Sequence, residues 1–115
     1  MNRIALLAST LVLASTALAS AAGYDGRWSV SVVTRSGGCD SYRWNVGIAG
    51  GKVTDVEGQK GGSAGGIAGN GSVNIRLTSG SDTLTATGKA SGAAASGAWA
   101  SPSRGCKGTW TAGRV

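Results

Sequence analysis

Two cysteines constrain this chain more than any other feature. Cys39 and Cys106 are the only ones it has, they stand 67 residues apart, and each lies near a Gly-x-Trp run that reads as a strand. One run is Gly26-Arg27-Trp28-Ser29-Val30, and the other is Gly108-Thr109-Trp110-Thr111. If the cysteines pair, the two ends of the chain must meet, and whatever lies between them must return on itself.

The first residues supply the reason to expect pairing. Met1-Asn2-Arg3 is a short positive start, Ile4 to Ala14 is apolar, and Ala17-Leu18-Ala19 and Ala19-Ser20-Ala21 are small-x-small sites. That is the pattern of a cleaved secretory signal peptide, expected over residues 1–21. Ser9, Thr10, Ser15 and Thr16 interrupt the run, which falls short of the roughly 20 apolar residues a membrane span needs. The chain is thus expected in the periplasm or outside the cell, where disulfides persist. Residues 22–115 are expected to form one domain. The sequence contains no Phe and has 21 Gly. So small a core is marginal without a staple, and closing a loop of this length contributes roughly 4 kcal/mol in the chain-entropy treatment.

Hydrophobic period two runs through the chain. Trp28, Val30 and Val32 alternate with Arg27, Ser29 and Ser31; Trp44, Val46 and Ile48 do the same; Val73, Ile75 and Leu77 alternate with Asn74 and Arg76. Lys52–Glu57 is a shorter strand, Gly58–Gly66 a Gly-rich loop, Gly65–Gly69 a weak fourth strand, and Asn70-Gly71 a hairpin signal. Thr83–Ala90, Ala93–Ala100 and Lys107–Arg114 complete the set. A helix at Ala93-Ala94-Ala95 is disfavoured by the neighbouring Gly92, Ser96 and Gly97. About eight short strands separated by turn signals point to an all-β barrel or sandwich. In a closed up-and-down barrel the loop after strand 1 and the loop before strand 8 lie at the same end, which brings Cys39 to Cys106 directly. A small antiparallel up-and-down β-barrel with one disulfide is therefore expected, with a two-sheet sandwich as the alternative.

Chemistry is limited by what is missing. There is no histidine, which removes Ser-His-Asp and Cys-His catalysis and most zinc and haem ligation. Asp55 and Glu57, at i and i+2, would share a strand face, and they read as a solvated edge rather than a hydrolase pair. The Gly61–Gly66 stretch lacks the Gly-Lys-Ser/Thr of a phosphate loop. No enzyme, cofactor or metal site is expected. The formal net charge is +6, one unit of it from Arg3 in the leader, and the basic residues are scattered. That argues against nucleic acid and leaves anionic envelope polymer, glycan or membrane surface as candidate partners. Four tryptophans remain. Trp28 and Trp110 read as core; Trp44 and Trp99, with Tyr42 and Arg43, are candidate ligand-binding residues on an aromatic platform.

The opening Gly26–Ile48 and the closing Ser96–Arg114 resemble a set of small secreted alphaproteobacterial proteins. These share Gly-x-Trp-Ser-Val, a Cys-Asp followed by Tyr-Arg, and a terminal Cys-x-Gly-x-Trp-Thr-Ala-x-Arg. The resemblance implies no activity. At the level of fold the chain is also similar to the barrels of the calycin, avidin and bacterial metalloprotease-inhibitor type, which open on Gly-x-Trp. In many of them a basic residue from the far end packs on that Trp, a part that would fall to Arg114 against Trp28. The inhibitors act through an N-terminal arm, for which only Ala22-Gly23-Tyr24-Asp25 would remain. Three functions follow, in order: a non-enzymatic binding module, a cationic envelope or structural protein, and a protease inhibitor.

Overall fold

The structure is a computed structural model that describes residues 23–59 and 61–115; the expected leader lies outside them. Eight antiparallel strands close into one barrel in chain order: β1 Gly26–Ser36, β2 Tyr42–Ala49, β3 Lys52–Val56, β4 Gly62–Ile67, β5 Ser72–Ser79, β6 Asp82–Ser91, β7 Ala94–Ser101 and β8 Cys106–Arg114. β8 returns to pair with β1 from Trp28–Arg114 to Ser36–Lys107. The sandwich alternative is thereby set aside, and the Cys39–Cys106 disulfide is formed, with Cα atoms 6.1 Å apart.

Strand alternation builds the core. Directly paired residues share a face, so Val30 sits between Trp44 and Ala112, and Val32 between Tyr42 and Trp110. Trp28, Val46, Ile48, Val73, Leu77, Trp99 and Trp110 are all buried inside. The run from Ala94 is strand, not helix. It finds ladder partners on both sides, Ser91 to Thr85 on β6 and Gly113 to Cys106 on β8. β4 begins earlier than its composition suggests: Gly62–Gly65 is strand rather than loop, because β5 offers an unbroken ladder from Gly62–Thr78 to Ile67–Val73. Ala68 and Gly69, expected to continue that strand, instead join the turn expected at Asn70-Gly71, with Gly71 donating to Ala68 O.

Glycine supplies space for large side chains. Trp99 lies against Gly108 of β8, and its indole N–H reaches across to Val33 O on β1 at 3.0 Å. Trp110 lies over Gly97 and Gly88 and donates to Thr87 O on β6 at 3.1 Å. On the outside, Arg27 crosses Gly47 of β2 to reach Asp55 of β3 at 2.8 Å. In each case a long side chain spans a neighbouring strand at a glycine, where that strand has no side chain in the way.

The two ends of the barrel differ. At the end opposite the disulfide, residues Gly23–Asp25 fold under the opening. Tyr24 O accepts the Trp28 indole N–H at 3.0 Å, and the Tyr24 hydroxyl donates to Ala90 O at 3.3 Å. Gly50 and Gly51 make the β2–β3 turn with φ of 60° and 79°, a left-handed pair that Gly adopts freely. Their N–H groups both point at the Asp25 carboxylate, at 2.8 and 2.9 Å. Arg114 completes the plug. Its guanidinium carbon lies 5.4 Å from the centre of the Trp28 ring and its Nη1 donates to Gly23 O at 2.8 Å. Arg114, from the end of the last strand, thus packs on the Trp of the first.

Candidate functional site: the mouth at the disulfide end

The other end stays open. In an up-and-down barrel the β1–β2, β3–β4, β5–β6 and β7–β8 connections gather at one end, and here they surround a groove of about 530 Å3. Trp44 and Tyr42 project into it from successive inward positions of β2. Their rings stack, with centroids 5.5 Å apart and planes 9° from parallel. Both are half-buried. Trp99 also borders the groove, but it is 4% exposed, so it forms floor rather than platform. Arg43 is not part of this site. It lies between Tyr42 and Trp44 in sequence, so the period of two turns it outward, opposite Ser31, onto the exposed barrel wall. Cys39 contributes to the rim and Cys106 is buried beneath it.

Polar groups reach the groove from loops. A short 3-10 turn at Pro102–Arg104, ended by Gly105 in the left-handed conformation, brings Arg104 to the rim. Its guanidinium sits by the Tyr42 hydroxyl, which with the fields of Asp82 and Asp40 raises its pKa above the ordinary arginine value. Asp82 and Gln59 face the same space. The turn is tied to the barrel by Ser101, whose hydroxyl donates to Thr83 O at 2.7 Å, and by Ser103, which accepts from the Thr83 N–H at 3.2 Å.

Beneath the groove is the barrel interior, with a cavity of about 70 Å3 lined entirely by apolar residues. Trp44, Leu77, Leu84 and Trp99 belong to both spaces, as the floor of one and the roof of the other. An apolar cavity of that size holds no stable water and is too small for a whole metabolite. A ligand at this end would rest in the groove, with its apolar part on Trp44 and Leu84 and its polar part toward Arg104, Asp82 and Gln59.

Three of the four candidate binding residues, Tyr42, Trp44 and Trp99, are therefore brought together. Arg104, Asp82 and Gln59 were not anticipated from sequence. The signal that points to them is topological: in a closed meander, alternate loops share an end.

No family model matches this chain, and neither the curated proteins nor the solved structures give a match.

Proposed function

We propose that this protein is a non-enzymatic binding module of the periplasm or extracellular space, exported by its leader, whose ligand lies in the groove at the disulfide end. The observation that carries the reading is the half-buried Tyr42–Trp44 stack, set at the mouth of an apolar barrel and flanked by Arg104 and Asp82. Aromatic faces with a few convergent polar groups are how small-ligand sites are generally built. The disulfide is consistent with a non-reducing compartment. The inhibitor reading has less support, since Gly23–Asp25 is tied beneath the barrel by Trp28, Arg114 and the Gly50-Gly51 turn.

Trp44 is the one half-buried tryptophan; Trp28, Trp99 and Trp110 are 2%, 4% and 6% exposed. Acrylamide should therefore quench a single accessible emitter that Trp44→Phe removes. A panel of soluble oligosaccharides and lysophospholipids is then screened for protection of that emission. The reading stands if one class protects Trp44 and Arg104→Gln weakens the protection. It falls if no class alters Trp44, or if binding survives Trp44→Ala unchanged.

A further inference from the structure

Strands β6, β7, β8 and β1 present an outer wall whose chemistry differs from the rest of the surface. The sequence has five carboxylates, and none faces this wall. Asp25 is bound by the Gly50-Gly51 turn, Asp55 and Glu57 hold Arg27, Asp82 faces the mouth, and Asp40 lies in the β1–β2 loop. The wall carries Arg35 and Lys107. Among the described residues Lys107 makes no ion pair, and the guanidinium of Arg35 donates only to Thr109 Oγ1, at 3.4 Å. Two further cations border it in register, Arg76 opposite Thr85 and Lys89 opposite Ser96.

The wall is also grooved. Ala98 and Ala100 on β7 have short outward side chains, while Thr85 and Thr87 rise on one side and Thr109, Arg35 and Lys107 on the other. The groove is shallow and open, with a volume of about 490 Å3. Gly108 itself is an inward position, paired with Trp99 and Thr34, so the depression is made by the short outward side chains of Ala98 and Ala100, and the cations line its edge.

We infer that this wall is a second binding site, for a linear acidic polysaccharide. Carboxylates spaced along a sugar chain would meet Arg35 and Lys107. Its hydroxyls would meet those of Thr85, Thr87 and Thr109, and the flat C–H faces of its rings would rest on the floor at Ala98 and Ala100. The other polyanions fit less well. Among the described residues the exposed large hydrophobics are Val33 and Val115 alone, so no apolar wedge is available to enter a membrane. Among the described residues the one aromatic bordering the groove is Trp99, which is 4% exposed and turned into the core, so no ring is offered for a nucleic-acid base to stack upon.

The test uses the oxidised protein and polygalacturonate, with dextran, phosphatidylglycerol vesicles and single-stranded DNA as comparators, at low and at physiological salt. The expected result is binding to polygalacturonate but not dextran, weakened by salt, with the Gly108 and Thr109 amide resonances shifted and the Trp44 indole unmoved. The Arg35→Gln/Lys107→Gln pair should lose at least about tenfold in affinity, as for charge-assisted hydrogen bonds. Thr85→Val/Thr109→Val, with charge unaltered, should lose several-fold. Lys52→Gln/Arg43→Gln, which removes as much charge from other strands, should bind as the parent does. The inference is overturned if that control loses as much as the groove pair, if vesicles or DNA bind more tightly than the polyuronate, or if polygalacturonate does not bind at low salt.

Discussion

Glycine 97 is worth more to this barrel than its missing side chain suggests. A Cβ at this position would drive into Thr87 O and lie 2.6 Å from the Gly88 Cα, in the space Trp110 crosses to reach β6. Backbone cannot yield cheaply, so Gly97→Ala should destabilise by about 1–3 kcal/mol, as overpacking does. Gly47 is a contrast. The atoms a Cβ would meet there belong to the Asp55, Thr54 and Arg27 side chains, which are free to swing away. Only an exposed ion pair is lost, so Gly47→Ala should cost clearly less than Gly97→Ala. Urea denaturation midpoints at constant slope separate the two, and equal losses would refute the spanning role assigned to these glycines. Asp25 gives a second test at this scale. The Gly51 and Gly50 N–H groups hold its carboxyl below the ordinary carboxylate range. A depressed folded pKa contributes stability that is complete above the unfolded value of about 3.9 and drains away as pH falls through the folded one. Denaturation midpoints should therefore drop more steeply below about pH 4 in the parent than in Asp25→Asn. Parallel profiles would mean that the cap contributes nothing to folding.

Among the elements, the seam between β3 and β4 stands apart. Neighbouring strands elsewhere share four or more register pairs, but here there is one, Lys52–Gly66, reinforced by the Ile67 N–H to Gly51 O bond at 2.8 Å. A Cβ on Gly66 would strike Gly51 O, whereas on Gly62 the only neighbour is a hydroxyl of β5. The strands touch at one end and diverge toward the mouth. Amide hydrogens of Val53–Val56 and Gly62–Gly65 should therefore exchange fastest among the strands, and those of the β1–β8 seam slowest; uniform protection would contradict the fork. This seam is also where sequence reading is weakest. β1, β2 and β5 are legible because large apolar residues mark every second position. Gly62-Ser63-Ala64-Gly65 carries no such mark, and it becomes a strand only because β5 is there to pair with it. The platform was legible for the same reason as the strands: Tyr42 and Trp44 are two apart and must share a face. That spacing also turns Arg43 away. Trp99 has the composition of a ligand contact, but the barrel buries it against Gly108, a tertiary fact with no local signature. Arg104 depends on which loops share an end, so it becomes readable only after the topology is known.

For the whole molecule, the disulfide and the β1–β8 seam act on the same closure. Cys39 and Cys106 join the first loop to the start of the last strand, beside the register pair Ser36–Lys107. Reduction, or Cys39→Ser/Cys106→Ser, should cost roughly 4 kcal/mol, a large share of the stability of so small a domain. Thermal melts with and without reductant measure it, and unchanged melting would show that the seam closes the barrel unaided. The plug has one more implication. Arg114 reaches Gly23 O at 2.8 Å, so the two ends of the described chain are already neighbours. Eight strands in sequential order form a ring with no privileged starting point. A short linker from Val115 to Gly23, with new termini cut in the β3–β4 loop at the most weakly paired seam, would give a circular permutant with the same eight-strand order and the same disulfide.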